Sequence, residues 1–207
     1  MLRTLAFRAL LPFAAALGAT VASIASASAP GAQAPDFAVA DAAGKPVKLA
    51  DYRGKFVVLE WTNPECPFVR KHYGAATMQA LQKEAAAQGV VWLAINSTET
   101  ASGDYLSPAQ LARWMADKQA APTATLMDED GAVGKAYGAR VTPHMYIVDA
   151  RGTLVYAGGI DSIASSRVDD IPKATPYIRQ ALAEIRAGKP LSASTTQAYG
   201  CSVKYKA

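Results

Sequence analysis

The sequence predicts a single α/β domain built on a mixed central sheet that helices flank. Continuous apolar runs over residues 56–62 and 90–95 have the character of buried strands, and amphipathic stretches of helical spacing follow them. The alternation of strand and helix along the 207 residues is typical of an α/β fold. No internal repeat and no boundary of a second domain is visible, so one core is expected to serve the whole chain.

The first residues are predicted to direct export rather than to belong to the fold. Arg3 and Arg8 give a basic start, an uncharged alanine-rich run follows over residues 9–25, and residues 25–27 are small, as a cleavage site requires. We therefore predict a cleavable signal peptide over residues 1–27 and a periplasmic or secreted location. An uncleaved membrane anchor is the alternative, although a run of 17 residues is short for a span.

The rest of the chain divides into a linker, one domain and a tail. Residues 28–34 are predicted as the linker, residues 35–190 as the domain, and residues 191–207 as a polar tail that carries the second cysteine. Removal of Arg3 and Arg8 lowers the formal charge from +4 to +2, so the charge balance gives no argument for nucleic-acid binding. We expect no nucleic-acid partner, and contact with a membrane only through the signal peptide.

Each element of the domain has its own sequence signal. Two short apolar runs around a glycine turn predict an N-terminal β-hairpin over residues 35–49. Ser107 before Pro108 is typical of a helix start, and Gly188 is typical of a helix end. The predicted order is hairpin, strand 56–62, helix 67–88, strand 90–95, helix from 108, strand 123–127, helix 132–138, strands 141–149 and 153–157, and helix 175–187.

Cys66 lies where a buried strand passes into a helix. Pro67 follows it, and proline is tolerated in the first helical turn because that N–H has no intrahelical partner. The positive end of the helix dipole favours a thiolate at this place, as do Arg70 and the basic residues after it, whereas Glu65 opposes it. We therefore predict that Cys66 is a reactive nucleophile; the alternative is a buried, inert cysteine.

Three features of the sequence occur together between about residue 35 and residue 182. They are Pro35-Asp36-Phe37 with residues 49–55, the junction at Cys66, and Val141-Thr142-Pro143. Together they resemble the thioredoxin-like superfamily, in its redoxin branch of alkyl hydroperoxide reductase and thiol-specific antioxidant (AhpC/TSA) relatives. The resemblance implies a thioredoxin-like fold in which a mixed sheet is flanked by helices, with an N-terminal β-hairpin and a C-terminal tail. It also implies that Pro143 is a cis proline lying against Cys66.

A substrate groove is expected beside the cysteine in such a protein. The resemblance assigns its shape to Thr142 and Pro143, and we place Pro67 and Asn63 at its border next to Cys66.

Two departures from the family patterns bear on the chemistry. Val69 stands where thioredoxin-like reductases carry the second cysteine of Cys-x-x-Cys, so a neighbouring resolving thiol is missing. Leu59 and Asn63 stand where peroxiredoxins carry the proline and threonine of their motif, and Pro143 stands at the place of their later arginine. Fast peroxide reduction is therefore not expected, and slow thiol-dependent peroxide reduction is kept as an alternative.

Cys201 is the predicted partner of Cys66. It follows 135 positions later, in a tail long enough to fold back from the last helix, and is expected to resolve a mixed disulfide. The alternative is a static disulfide that pins the tail, which in the chain-entropy model stabilises by about 4–5 kcal/mol.

A metal-binding module is the remaining alternative. His72, His144 and Met145 together with the two cysteines resemble the soft ligands that copper takes. Copper-delivery relatives of this fold carry Cys-x-x-x-Cys, which is absent, so we expect no metal and no cofactor. The sequence favours a periplasmic thiol–disulfide oxidoreductase whose partners are protein or small-molecule thiols and disulfides. A redox-inert binding protein is left open, and no oligomeric state is predicted.

Overall fold

The computed structural model describes residues 28–206, so the predicted signal peptide lies outside the described residues. The strands are β1 (Ala38–Ala40), β2 (Pro46–Lys48), β3 (Val57–Trp61), β4 (Val91–Asn96), β5 (Ala124–Met127), β6 (Val141–Thr142), β7 (His144–Val148), β8 (Leu154–Gly158) and β9 (Cys201–Ser202). The helices are α1 (Pro67–Gly74), α2 (Thr77–Ala87), α3 (Pro108–Asp117), α4 (Ala132–Tyr137) and α5 (Tyr177–Arg186). Among residues 28–206, no helix is long and apolar enough to cross a membrane.

The central sheet has five strands in the order β5-β4-β3-β7-β8. The pairs β3–β4 and β4–β5 are parallel, whereas β3–β7 and β7–β8 are antiparallel. The strands β1 and β2 form the separate antiparallel hairpin that the sequence predicts. The predicted mixed α/β sheet with its N-terminal hairpin is therefore confirmed.

The sheet separates two apolar cores, because successive side chains of a strand point to opposite faces. On one face Val58 packs with apolar residues of α1, α2, α3 and α5. On the other face Leu59 and Trp61 pack with the hairpin and with α4. All five residues of β3 are buried, which explains why that strand is continuously apolar apart from Glu60.

The sequence predicts one helix over residues 67–88, and this prediction is wrong. The structure has two helices, because Ala76 adopts a left-handed conformation with φ of 56° between them. The side-chain amide of Gln79 donates to the backbone carbonyl of Tyr73 at 2.8 Å and so takes up one of the last carbonyls of α1. Tertiary contacts of this kind outweigh the helix propensity of the alanines at the break.

The strand predicted over residues 141–149 is divided as well, into β6 and β7, at the cis peptide bond between Thr142 and Pro143. The stretch predicted as a linker lies partly against the sheet, since Ala34 is buried and its N–H donates to the carbonyl of Gly152 at 2.9 Å. The tail also lies on the domain. It forms a bridge from Thr195 to β8 and then continues to β9, which pairs with β6.

Candidate active site

Cys66 lies at the N-cap of α1, and Pro67 occupies the first helical turn, as the sequence predicts. A tight loop brings the chain there from β3: the N–H of Cys66 donates to the carbonyl of Asn63 at 3.0 Å. The side-chain oxygen of Asn63 also accepts from the N–H of Glu65 at 2.7 Å. The cysteine is therefore fixed at a helix start, yet only 3% of it is exposed.

Asn63 is held from the far side by a second loop. Its side-chain amide donates to the hydroxyl of Thr98 at 2.9 Å and approaches the carbonyl of Asp104 at 3.4 Å. With the acceptor side of the amide occupied by Glu65, the whole group is engaged inside the protein. Asn63 thus shapes the loop that presents Cys66, and it borders the same small cavity as the thiol.

Thr142, which is followed by Pro143, contacts Cys66 directly. The peptide bond between Thr142 and Pro143 is cis, and the Cys66 thiol donates to the carbonyl oxygen of Thr142 at 3.0 Å. The hydrogen bond joins residues 76 positions apart and is buried. The structure therefore brings the predicted nucleophile together with Thr142, one of the predicted groove residues.

Cys201 reaches this place through strand pairing. In the antiparallel ladder of β9 with β6, Cys201 stands opposite Thr142, and both cysteines are free thiols. Gly200 allows the approach: its φ is +144°, and a Cβ built on it would lie 1.9 Å from the Thr142 carbonyl oxygen. The N–H of Val203 continues the pairing by donating to the carbonyl of Arg140 at 3.0 Å.

The two cysteines share one cavity of about 30 Å³. A volume of this size is enough for about one or two water molecules, so the cavity is not large enough for a polypeptide substrate. The tail forms one wall of it with Cys201, Ser202 and Val203, and the opposite wall contains Cys66 and Thr142. The tail therefore contributes one wall of the cavity that the Cys66 thiol borders.

The pKa of the Cys201 thiol is raised to about 12, first by burial and then by the hydrogen bond and the negative charge of Cys66, while Lys204 opposes the rise. Cys201 therefore keeps its proton at neutral pH as long as it faces the Cys66 sulfur. When the Cys66 sulfur becomes part of a disulfide, it carries no charge, and one cause of the raised pKa of Cys201 disappears.

A buried charged cluster anchors the tail two residues before Cys201. The Tyr199 hydroxyl donates to a carboxylate oxygen of Asp161 and lies 3.4 Å from both Lys71 Nζ and His72 Nε2. The phenol ring packs edge-on against Phe68, with 5.7 Å between the ring centroids. We call this site, formed by Phe68, Lys71, His72 and Asp161, the Tyr199 pocket.

The ionic contacts of the Tyr199 pocket are incomplete. Lys71 Nζ and His72 Nε2 each lie 3.6 Å from Asp161 Oδ2, and Lys71 also donates to the carbonyl of Ser165 at 2.9 Å. Neither Asp161 Oδ2 nor His72 Nδ1 has a hydrogen-bond partner, although both atoms are buried. Burial lowers the pKa of His72 to about 4, with Asp161 opposing and Lys71 adding to the effect.

This arrangement corrects the expected role of the basic residues in α1. Lys71 and His72 are directed to Asp161 and Tyr199 rather than to Cys66, and they are buried rather than exposed on the helix surface. Arg70 pairs with Glu65 across the helix start, at 2.5 Å between Nη2 and Oε2.

His144 lies away from Cys66. Its Nδ1 is 3.2 Å from the Tyr146 hydroxyl and accepts from the N–H of Arg140 at 3.4 Å, and its ring packs on that of Tyr146. Burial and the charge of Arg140 lower the pKa of His144 to about 4. Within residues 28–206, no group of three or more His, Cys, Asp or Glu side chains is arranged to hold a metal ion.

Sequence reasoning missed Asp161 and Gly200. Asp161 follows two glycines in a loop, and a single acidic residue in such a place reads as solvent-exposed. Gly200 carried a usable signal: a glycine directly before a cysteine in a polar tail indicates close backbone approach.

Several solved structures are similar to this chain. An uncharacterised conserved protein from Geobacillus kaustophilus is 30% identical over 86% of this chain and 92% of its own, with a TM-score of 0.76. A hypothetical protein from Sinorhizobium meliloti is 26% identical over 88% of this chain and 97% of its own, also with a TM-score of 0.76. A candidate thiol:disulfide interchange protein DsbE from Chlorobium tepidum is 25% identical over 63% of this chain and 85% of its own, with a TM-score of 0.50. No curated protein sequence matches the chain.

The family assignment comes from the part of the chain that contains the first thiol. The sequence model of the AhpC/TSA family matches residues 30–157, a stretch that includes Cys66, Thr142 and Pro143 but ends before Cys201. The five-stranded mixed sheet and its flanking helices have the arrangement of a thioredoxin-like fold. The chain therefore has a thioredoxin-like fold and belongs to the AhpC/TSA family.

Proposed function

We propose that this protein is an exported thiol–disulfide oxidoreductase in which Cys66 is the nucleophile and Cys201 the resolving thiol. One observation carries the proposal: Thr142 accepts a hydrogen bond from Cys66 and, in the strand ladder, stands opposite Cys201. A single residue thus aligns both thiols at one cavity. The predicted signal peptide supports a periplasmic or secreted location, where disulfides persist.

The first step is attack on a substrate disulfide. The Cys66 thiolate attacks one sulfur, forms a mixed disulfide with it, and the second substrate sulfur leaves as a thiolate with the electron pair of the broken bond. Because the cavity beside Cys66 is small and the tail forms one of its walls, the tail must move aside for this step.

The second step uses the tail. When the Cys66 sulfur is in the mixed disulfide, it has lost its negative charge, so the proton of Cys201 is released more easily. The Cys201 thiolate then attacks the Cys66 sulfur, forms the Cys66–Cys201 disulfide and expels the bound substrate sulfur as a thiolate. The substrate has gained two electrons and the protein has lost two; an external dithiol returns them, and the reverse sequence oxidises a dithiol substrate.

The similarity to the thiol:disulfide interchange protein from Chlorobium tepidum and the AhpC/TSA family match support this chemistry. The partners are then protein or small-molecule thiols and disulfides.

The reduction potential of the thiol pair tests the proposal. The mature protein is equilibrated with glutathione buffers, and free thiols are trapped by alkylation and counted by mass. We expect a potential between roughly −120 and −270 mV, the range of catalytic pairs. A potential below about −300 mV would identify a static staple and a redox-inert protein, and it would overturn the two-thiol mechanism.

Two matched variants test which cysteine is the nucleophile and which is the resolving thiol, and the mixed disulfide with an added substrate is measured by mass. Cys201→Ser should accumulate a mixed disulfide on Cys66 with an added substrate, because the resolving attack is lost. Cys66→Ser should accumulate none, although Cys201 is still present. A mixed disulfide that forms on Cys201 in the second variant would reverse the assignment.

Thiol-dependent peroxide reduction is a second candidate, which the family match favours. In that reaction the Cys66 thiolate attacks a peroxide oxygen, becomes a sulfenic acid and releases the alcohol or water; Cys201 then condenses with it to a disulfide and water. Asn63, whose side chain is held by Thr98, stands where a motif threonine is expected, so we expect the rate to be low. Peroxide consumption with a dithiol donor, compared with the disulfide reduction rate, decides between the two.

A further inference from the structure

Residues 199–202 contact the domain as an extended peptide ligand does. The strand β9 adds to β6 through backbone hydrogen bonds, and one side chain of the tail, Tyr199, fills a pocket beside the strand. Backbone pairing gives affinity without sequence preference, and a side-chain pocket gives specificity. The tail therefore shows which peptide this surface fits.

A substrate must take the place of the tail. Cys66 is 3% exposed, and residues 201–203 form one wall of the small cavity beside it. A partner polypeptide that pairs with β6 must displace β9, and it then meets the edge of β6 and the empty Tyr199 pocket. We propose that this surface recognises a partner polypeptide with an extended segment in which a tyrosine stands two positions before the reactive cysteine and a glycine stands between them. The inference rests on the proposed function, because it names the substrate class of that site.

The glycine preference follows from the backbone. At Gly200 a Cβ would come within 1.9 Å of the Thr142 carbonyl oxygen, and the φ of +144° is rarely adopted by other residues. A ligand with a larger residue at this position has to lift away from β6, which moves its cysteine away from Cys66.

The tyrosine preference follows from the buried charges. A phenol hydroxyl donates to Asp161 and lies within 3.4 Å of Lys71 Nζ and His72 Nε2, while its ring packs against Phe68. A phenylalanine ligand offers the same ring but lacks the hydroxyl donor, which leaves Asp161 Oδ1 with the backbone N–H of Ile163 at 3.1 Å. A buried site built for a hydroxyl group rejects the analogue that lacks it, because its own polar groups remain unpaired.

The chain's own tail competes with any partner because it is tethered to the site, where its effective concentration is on the order of millimolar. The test therefore uses the mature full-length chain with two substitutions, Gly200→Val to unseat the tail and Cys201→Ser to remove its thiol. The valine side chain collides with the Thr142 carbonyl oxygen, whereas Phe68, Lys71, His72 and Asp161 are unchanged. Faster alkylation of Cys66 by a maleimide verifies that the tail has left.

Binding is measured first without any chemistry. Fluorescein-labelled peptides Ala-Tyr-Gly-Ser-Ser-Val and Ala-Phe-Gly-Ser-Ser-Val carry serine in place of the reactive cysteine, and their affinities are obtained from fluorescence anisotropy. We expect the tyrosine peptide to bind about 10- to 100-fold more tightly, the size of a hydrogen bond to a buried charge. In the matched variant that also carries Asp161→Asn, this preference should fall to less than about threefold, because the charged acceptor is gone.

Equal affinity of the two peptides overturns the inference, and so does absence of binding of the tyrosine peptide at about 1 mM to a folded variant with an accessible Cys66. If Gly200→Val does not fold, Tyr199→Ala with Cys201→Ser unseats the tail instead and the same peptides are used. Tail exchange between two copies of the chain would appear as a dimer of the wild-type protein by light scattering. A dimer that the tyrosine peptide does not dissociate would assign the surface to a second copy and overturn the partner assignment.

A second measurement separates this inference from the proposed function. Cys66 of the same variant is converted to its mixed disulfide with 5-thio-2-nitrobenzoate, and the peptides are used with cysteine restored. The peptide thiolate attacks the Cys66 sulfur, and 5-thio-2-nitrobenzoate leaves with the electron pair and is measured by absorbance. Exchange at equal rates for the tyrosine and phenylalanine peptides would overturn the inference and leave the proposed function standing. Tighter binding of the tyrosine peptide without any thiol exchange would support the inference and would overturn the proposed function.

Discussion

Two buried carboxylates flank α1, and they are satisfied in different ways. Glu60 in β3 accepts hydrogen bonds from Tyr73 at 2.9 Å, from Trp92 Nε1 at 2.8 Å and from Gln82 at 3.4 Å. All these partners are neutral, and all belong to the core between residues 60 and 92. Burial raises the pKa of Glu60, and the hydrogen bonds oppose the rise.

Asp161 is contacted by two basic side chains, by the backbone N–H of Ile163 at 3.1 Å and by the tail. Lys71 and His72 each approach it at 3.6 Å, and its direct hydroxyl donor, Tyr199, comes from a segment 38 positions later. One of its oxygens has no hydrogen-bond partner. The helix α1 therefore has two different sides. On one side Glu60 is hydrogen-bonded by residues of the core, and on the other side Asp161 receives a hydrogen bond from Tyr199 only when the tail is docked.

The largest expected loss of stability comes from removing a charged group beside Asp161. Lys71→Ala removes a fully buried ammonium group and leaves Asp161 without its lysine partner, so we expect a loss of about 3–5 kcal/mol in the free energy of unfolding. Urea denaturation followed by circular dichroism measures it. The double variant with Asp161→Asn should recover part of the loss; a loss below about 1 kcal/mol for Lys71→Ala would show that the charges do not stabilise one another.

A smaller loss of stability is expected when Glu60, whose hydrogen-bond partners are neutral, is replaced. Glu60→Gln keeps the shape but places an amide N–H against donors such as Trp92 Nε1, so we expect a loss of about 1–3 kcal/mol in unfolding free energy. Tyr73→Phe is the control, because it removes one donor and leaves the carboxyl group in place. Unchanged stability of Glu60→Gln would mean that the carboxyl group is not held by these bonds.

The two sides should also respond to pH with opposite signs. Glu60 has a raised pKa, so its contribution to stability is present below pH 4.5 and is lost as the pH rises above that value. His72 has its pKa lowered to about 4, so stability is lost as the pH falls from 6.5 towards 4, where only the unfolded chain takes up the proton.

Between pH 4.5 and 6.5 the two slopes oppose each other in the wild type. His72→Gln should leave stability that falls with rising pH, and Glu60→Gln should leave stability that rises with it, by at most about 1.4 kcal/mol per pH unit in each case. Unfolding free energies at four pH values decide this. Slopes of equal sign in the two variants would contradict the assignment.

The smallest effect belongs to an exposed ion pair that bridges two helices outside these clusters. Arg179 and Glu84 lie 4.0 Å apart and are partly exposed, so Arg179→Gln should change the unfolding free energy by less than about 0.5 kcal/mol. This variant is the reference for the buried charges, because it removes a charge at the surface and leaves every buried group unchanged. A loss above about 1 kcal/mol would show that exposure is a poor guide to ionic contributions in this protein.

The sequence predicted the central path of the chain well, because Cys66 and Pro67 follow a continuously apolar strand and Thr142 and Pro143 precede another. These signals are local. The break at Ala76 was missed because alanine carries no local sign of a helix end and the turn is fixed by the side chain of Gln79.

The docking of the tail could not be predicted from the sequence either, because it depends on contacts between distant segments. The strand β9 has two residues, too few for any periodic pattern, and its pairing with β6 joins segments about 60 positions apart. The burial of Lys71 and Asp161 has no local sequence signal either, because their contacts come from distant segments, the tail with Tyr199 among them. The sequence therefore predicts Cys201 as the partner of Cys66, but it gives no sign of the strand that places Cys201 opposite Thr142.

Gly200 also matters for tracing the ancestry of this protein. Since no other residue fits between Thr142 and the cysteine without lifting the strand, the Gly-Cys pair and the Thr-Pro turn should be inherited together. A lineage that replaced the glycine would lose the docked thiol before it lost the cysteine itself. Among relatives that keep Cys66, some will have substituted the residue at position 200 first and others the residue at position 201. The order of these two substitutions would record whether the second thiol was lost by replacement of the cysteine itself or by loss of the strand pairing that positions it.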